Sequence, residues 1–390
     1  MNDLQRFLAV VKGEKPDYIP IFGFSEAPGM AGGVMKKTYD RLVATGMPED
    51  VGGIYDLCGV VKNLEGWYKY WGCTAPVDID FFPGELPRPM KFEKLVEDGW
   101  EIIEYETGAI TRQVVDNDIT YIMPEYRKYH VRDRSSWEYY KKIMTPGKPW
   151  TGEQIDEACR KFDRRDKPVR VNLYPTWGGL RNLVGPEMAC TILYDDPDLA
   201  REILEWFQWT NRTYLFPVIE RLKPEIITIS EDICYNHGMF ISPAHFREFC
   251  MPAYREIGEV AAKNGVAMAA VDSDGLVEQL VPLLEECGFN TLFPWEVKAG
   301  NDLFKIRREH PGFVIMGGLE KEAVNEGNEH IIEAEIMSKV PWLLEKGRYF
   351  PNGDHGIQPL VTFRSLCRFM TLLHEVCKNP EGEFPRVRDI

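Results

Sequence analysis

Five short β-rich runs in this chain each stop at ionisable residues. They read Ser230-Glu231-Asp232, Asp272-Ser273-Asp274-Gly275, Trp295-Glu296, Leu319-Glu320 and Asp354-His355-Gly356. Carboxylates and an imidazole in this number can move protons near neutral pH or hold a hard divalent cation. Asp272 and Asp274 stand two apart, so on an extended strand both project to the same side. Thr228, Ser230 and Asp232 share a face in the same way, opposite Ile227 and Ile229, so Asp232 is expected to point inward and Glu231 to alternate with it. Taken singly, each acid suits the N-cap of a following helix. As a set they raise one another's pKa, a cost that a cation, a proton or a substrate must offset. His355, one of only seven histidines, stands among them and suits a metal ligand or a general acid.

The elements that must position these residues follow a regular plan after about residue 167. Apolar runs at 169–174, 225–230, 266–271, 291–293, 313–316 and 349–350 alternate with amphipathic helices near 197–220, 243–263, 275–287, 301–310, 327–346 and 361–377. Asp196-Pro197 opens one helix with an N-cap and a proline at its first position, and Leu199, Ile203 and Phe207 then share a face. Such alternation predicts a parallel sheet with helical cover. With a further strand at 18–22, after a helix over 2–12, the count approaches eight. The expected fold is a (β/α)8 barrel, whose strand C-termini meet at one mouth and gather the ionisable residues there.

Between about 67 and 150 the plan is interrupted by an insertion. Its first part is rich in Pro, Gly and aromatics, and 99–123 alternates apolar and polar with turns at Thr107-Gly108 and Asp116-Asn117-Asp118, which predicts a β-meander. The 390 residues are therefore read as one elaborated barrel domain. The Gly-Gly pairs at 52–53, 178–179 and 317–318 read as turns, and no glycine-rich phosphate-binding motif is found.

With 44% hydrophobic and 27% charged residues, the chain can build a large core and lacks the bias of a disordered protein. No apolar run approaches the roughly 20 residues that cross a bilayer, and the polar start lacks a signal-peptide pattern, so a cytoplasmic protein is expected. Nine cysteines without a C-x-x-C pair argue for reduced thiols rather than a disulfide framework or zinc ribbon. A net charge of -15 disfavours nucleic acid and anionic membrane as partners.

Four segments together resemble the uroporphyrinogen decarboxylase-like superfamily over nearly the whole chain. They are Arg6-Phe7-Leu8-Ala9 through Lys15-Pro16-Asp17-Tyr18-Ile19-Pro20, Ile241-Ser242-Pro243-Ala244-His245-Phe246-Arg247-Glu248-Phe249, Gly317-Gly318-Leu319, and Asp354-His355-Gly356-Ile357-Gln358-Pro359. The resemblance implies either a porphyrinogen decarboxylase or a corrinoid-dependent methyltransferase. Decarboxylases of that kind carry an N-terminal arginine-rich motif, and residues 21–29 here contain no arginine. An acid-lined mouth would also repel a polycarboxylate.

Methyltransferases of the superfamily that act on coenzyme M hold zinc with a His-x-Cys pair and a later Cys. In their place stand Asp272-Ser273-Asp274-Gly275 and His355, so the resemblance implies Asp272, Asp274 and His355 as ligands of Zn or another divalent cation. Loss of thiolates points away from thiol activation and towards demethylation of a small donor, such as a phenyl methyl ether. The methyl acceptor is then the cobalt of a partner corrinoid protein. The reading that follows assigns Asp232, Glu296, His355, Glu231 and Asp354 to the reacting centre, and Tyr174, Trp177 and Glu320 to the donor. A decarboxylase or other lyase acting on a smaller acid is the second reading. A non-catalytic corrinoid or tetrapyrrole binder is the third.

Overall fold

A computed structural model describes residues 1–24, 32–55, 61–115 and 124–388. The expected turn at Asp116-Asn117-Asp118 and most of the stretch 21–29 lie outside these residues. The centre is a parallel sheet of seven strands: β3 (Val77–Asp78), β8 (Val169–Leu173), β9 (Ile226–Ser230), β10 (Met268–Ser273), β11 (Thr291–Pro294), β12 (Val314–Leu319) and β13 (Tyr349–Gly353). They lie in the spatial order β13-β12-β11-β10-β9-β8-β3. Two further short strands, β1 (Ile21–Phe22) and β2 (Cys73–Thr74), pair with each other instead.

Strand period divides the core. Val169, Val171 and Leu173, like Ile227 and Ile229, face the helical layer, where they join Leu180, Ile203, Phe207, Val218 and many others. The opposite face carries Ile226, Met268, Ala270, Phe293, Val314, Met316 and Phe350, which meet Phe22, Phe24 and three residues of helix α1 (Asp3–Lys12), namely Phe7, Val10 and Val11. One apolar cluster drawing on that many strands requires the sheet to curl around it, and α1 closes its lower end. Helix α1 is pinned there by a capping box between Asn2 and Gln5 and by Gly13 in the left-handed region at φ +79°.

The expected eight-stranded barrel is therefore only partly realised as a hydrogen-bonded ladder. Seven strands form a curled sheet, and β1 lies beside β13 through side chains, with the Phe22 and Phe350 rings 5.3 Å apart, without joining its ladder among the described residues. The insertion is a four-stranded antiparallel sheet of β4 (Phe92–Glu97), β5 (Trp100–Tyr105), β6 (Ile110–Val114) and β7 (Glu125–Lys128).

Helix boundaries differ from expectation where tertiary partners intervene. The helix expected over 275–287 is reduced to Val281–Glu285, because residues 275–277 are tied into the mouth. The helix after Asp196 starts as expected, with the Asp196 carboxylate accepting from the Leu199 N–H, but runs Pro197–Thr210 before a π turn at Asn211–Leu215. Gly317 and Gly318 are not a turn but part of β12. A Cβ on Gly317 would fall 2.1 Å from the Pro294 carbonyl oxygen, so only glycine lets β12 approach β11. Gly178 and Gly179 likewise lie in helix α2 (Trp177–Val184) rather than in a turn. Among the described residues no helix is long and apolar enough to cross a membrane, and the eight cysteines are unpaired.

The internal aromatic cluster should carry much of the stability. Phe350 is fully buried, with ring centroids 5.6 Å from Phe7 and 5.3 Å from Phe22. Phe350→Ala is expected to cost about 3–5 kcal/mol through lost transfer energy and the cavity left behind. Urea unfolding checks this; a loss below about 1 kcal/mol would mean that the cluster is loosely packed.

Candidate active site

The ends of β10, β11 and β13 build the site. At the top of β10 the N–H groups of Glu231 and Asp232 donate to the Asp272 carbonyl at 2.9 and 3.2 Å, and buried Ser273 accepts the Cys234 N–H at 3.2 Å. The chain leaves the strand just beyond, carrying Asp274, and turns at Gly275, where φ is +85° and a Cβ would meet the Tyr235 backbone at 2.5 Å. After β11, buried Trp295 turns at φ +65°, its indole N–H donating to the Leu292 carbonyl at 2.6 Å. Glu296 thereby reaches back so that Oε2 accepts the Gly275 N–H at 2.9 Å.

Asn301 locks the two loops together. Its Nδ2 donates to the carbonyls of Gly275 and Glu296 at 2.9 and 2.8 Å, and its Oδ1 accepts the Val277 N–H at 3.0 Å. Asp354, at the end of β13, performs the same service for the next loops. Its two carboxylate oxygens accept the N–H groups of Val297 and Lys321, each at 2.9 Å. The outcome is that Asp274, Glu296 and His355 each bring a ligand atom within 4.8 Å of the others, with His355 Nε2 3.8 Å from Asp274 Oδ2.

The charges are crowded. The Asp274 carboxyl is pushed up to about 7, first by desolvation in the mouth, then by the negative charges of Asp232 and Glu296; Lys321 and Arg181 oppose the shift. Its side chain keeps 42% exposure, so it sits within the walls of the mouth yet still meets solvent. Burial and Lys321 push the His355 imidazole down, against the pull of Glu296, Asp354 and Asp232. Near neutral pH the cluster thus combines a half-protonated carboxyl with a mostly neutral imidazole. Such a pair can give or take a proton, or bind a cation without first losing one from the imidazole.

The remaining expected site residues separate into two groups. Asp232 stays at the mouth: its backbone takes a positive φ of 40°, and Arg181 donates to its carboxylate at 2.9 Å and to its carbonyl at 3.1 Å. Asp272 lies on β10 below the cluster and is not among the three gathered groups; Glu296 stands where it was expected.

Glu231 is turned away. It is 1% exposed, and its carboxylate accepts the Thr176 N–H and hydroxyl at 2.8 and 2.7 Å and the Gly178 N–H at 2.6 Å, capping α2. Burial pushes its pKa up against those bonds. Asp354 is likewise 2% exposed and serves as a brace. Tyr174 and Trp177 are not walls of the mouth. Strand β8 stops at Leu173, so strand period no longer aims Tyr174, which packs against the helical layer near Phe207 with its backbone bracketed by the Asn211 amide. Trp177 is 1% exposed in the same layer. Glu320 stands on the rim, 3.7 Å from the Lys298 ammonium.

Sequence reasoning missed Asn301 and Arg181, and it gave Lys321, at the strand end beside Glu320, no role of its own. Asn301-Asp302 ahead of an apolar run reads as helix capping, and Asp302 does cap that helix. The Asn301 bonds to loops 5 and 26 residues away leave no local sign.

An α/β protein with acids and an imidazole gathered where parallel strands end fits the general plan of enzymes built on curled parallel sheets. Residues 124–376 match the uroporphyrinogen decarboxylase (URO-D) family, and the chain belongs to that family. Among solved structures it is similar to a methyltransferase from Methanosarcina mazei, with a TM-score of 0.59 and 16% identity over 97% of this chain and 99% of that one. At that identity the likeness concerns the fold. No curated protein matches.

The raised Asp274 carboxyl makes folding take up a proton between the ordinary aspartate value and about 7. Stability from this group is present at low pH and is lost as pH rises through 7, because the folded state must then hold the charge. In chelator-treated protein, Asp274→Asn should therefore gain melting temperature relative to wild type as pH goes from 5 to 8. A pH-independent difference would show that Asp274 ionises normally. For Glu231→Ala the expected result is a loss of about 3 kcal/mol or more in urea unfolding, since three buried donors lose their acceptor; an unchanged midpoint would argue against the brace.

Proposed function

We propose that this protein is a methyltransferase that moves a methyl group from a small donor, such as a phenyl methyl ether, to the cobalt of a partner corrinoid protein. The observation that carries the reading is the gathering of Asp274, Glu296 and His355 within 4.8 Å at the strand ends. The likeness of the fold to a methyltransferase across nearly its full length supports the same reading. When a methyl group departs from oxygen, the leaving alkoxide or phenoxide needs a proton or a positive charge at that moment. An Asp274 carboxyl held near 7 supplies the proton, which leaves with the alcohol or phenol, and neighbouring His355 can relay a replacement proton from solvent for the next cycle.

The same three side chains fit a divalent cation. Two carboxylate oxygens and an imidazole nitrogen suit zinc or a harder ion, and a positive charge there would relieve the repulsion that raises Asp274. Such an ion would polarise the leaving oxygen as a Lewis acid. Glu296 is held for either task by its bond to the Gly275 N–H, and Lys321 adds positive charge beside the cluster.

The test is to mix the protein with a reduced corrinoid protein and a panel of methyl donors and to follow the cobalt absorption spectrum. Wild type should methylate the corrinoid with at least one ether donor. Asp274→Ala and His355→Ala should each be slower by at least ~100-fold while keeping the wild-type circular dichroism spectrum. Carbon dioxide release without corrinoid methylation would replace this reading with that of a lyase. Chelator treatment decides how the leaving oxygen is served. Lost activity restored by one equivalent of a divalent ion assigns the three residues to a metal, and full activity in metal-free protein assigns them to proton transfer.

A further inference from the structure

We infer that the outer edge of β4 is a dimerisation surface, on which a second copy of this chain lays its own β4 in the antiparallel sense and joins the two four-stranded sheets into one. Among the described residues β4 pairs with β5 alone, and its other side carries no strand. Every residue of β4 is exposed, including the apolar Phe92, Leu95 and Val96 at 58%, 56% and 58%. Apolar side chains along an open strand edge invite a further strand to pair there.

Hydrogen-bond alternation fixes which backbone groups face that edge. The Lys91 carbonyl accepts the Glu106 N–H at 2.9 Å, and β4 passes into β5 through a two-residue turn, Asp98-Gly99, with both residues at positive φ. Lys91, Glu93, Leu95 and Glu97 therefore bond inward to β5. The other side of β5 agrees with this phase: the Val115 N–H donates to the Gly99 carbonyl at 3.0 Å and the Tyr105 N–H to the Ala109 carbonyl at 2.9 Å, so its odd-numbered residues serve β6. The N–H and C=O groups of Phe92, Lys94 and Val96 are left pointing outward. Two copies related by a two-fold axis perpendicular to the sheet must bring these three residues opposite one another. Only registers centred on Glu93, Lys94 or Leu95 do so with substantial overlap.

Charge selects among the three. Centring on Glu93 sets that carboxylate against its own copy, and centring on Leu95 sets Glu93 against Glu97 of the other copy twice. Centring on Lys94 sets Lys91 against Glu97 twice and Phe92 against Val96 twice, and it pairs all the outward groups of 92, 94 and 96. Neither the Lys91 ammonium nor the Glu97 carboxylate has an ion-pair partner within 4.0 Å among the described residues, so both are available to the second copy. The one contact of like charge, Lys94 against its copy, is softened because each Lys94 ammonium is paired with Glu101 on β5 of its own chain. The closed two-fold uses up both edges, so the assembly stops at two.

The test is sedimentation equilibrium of the full chain over a concentration series. Wild type should pass reversibly from a species of 45.0 kDa to one of twice that mass. Lys91→Glu and Glu97→Lys should each raise the dissociation constant at least ~10-fold, since attraction becomes repulsion at two places. The double variant Lys91→Glu/Glu97→Lys restores opposite charges and should return to within ~3-fold of wild type. Lys94→Pro deletes the outward N–H at the centre while leaving the bonds to β5, and should abolish the dimer with the circular dichroism spectrum unchanged. Wild type that stays monomeric throughout, a dimer indifferent to the single charge reversals, or a double reversal no tighter than the single ones would overturn the inference. So would a dimer that survives in folded Lys94→Pro protein.

Discussion

Negative charge forced together at the ends of parallel strands is the constraint on which the rest of this structure depends. Asp232, Asp274 and Glu296 arrive on three successive strand ends, and after burial the charges of Asp232 and Glu296 make ionisation of Asp274 more costly. A loose arrangement would let these side chains swing apart into water and relieve the repulsion. The fold prevents that by tying the loops to one another. Asp354 joins the loops after β11 and β12, Asn301 joins those after β10 and β11, and Glu231 fastens the end of β9 to the start of α2. The acids that brace and the acids that gather at the mouth thus share the same strand ends and differ in burial.

That division of labour is a general solution to placing a reactive carboxylate. A buried acid that accepts two or three N–H bonds is fixed in direction and fixes what it holds. A neighbouring acid left without such donors is free to change protonation, and its pKa moves with the field around it. Asp354 and Glu231 illustrate the first case and Asp274 the second. Arg181 and Lys321 moderate the field. Arg181 is committed to Asp232, whereas the Lys321 ammonium has no ion-pair partner within 4.0 Å among the described residues and can answer charge that develops on a substrate.

Much of this was legible in the sequence. The alternation of apolar runs and amphipathic helices specified a parallel sheet, and Asp274, Glu296 and His355 all stood on the list of strand-end residues. What could not be read was which acids turn inward. Strand period applies only while the chain stays extended, and it fails at Glu231-Asp232, where φ becomes positive, and at Tyr174, one residue past the end of β8. It held through Asp272, yet Asp274 lies outside the strand, so the two do not act as a pair. Closure into a full barrel was inferred from counting strands, but the first of those counted is a two-residue piece, Ile21–Phe22, that pairs with Cys73–Thr74 and not with β13.

The central claim is that Asp274 and His355 act as one unit in methyl transfer. It is tested most directly by a double-mutant cycle on multiple-turnover corrinoid methylation with the corrinoid protein in excess, using Asp274→Asn, His355→Gln and the double variant. The account predicts that the double variant is no slower than the slower single variant, since either loss already disables the unit. Rate losses that multiply would contradict it, showing two groups that contribute independently.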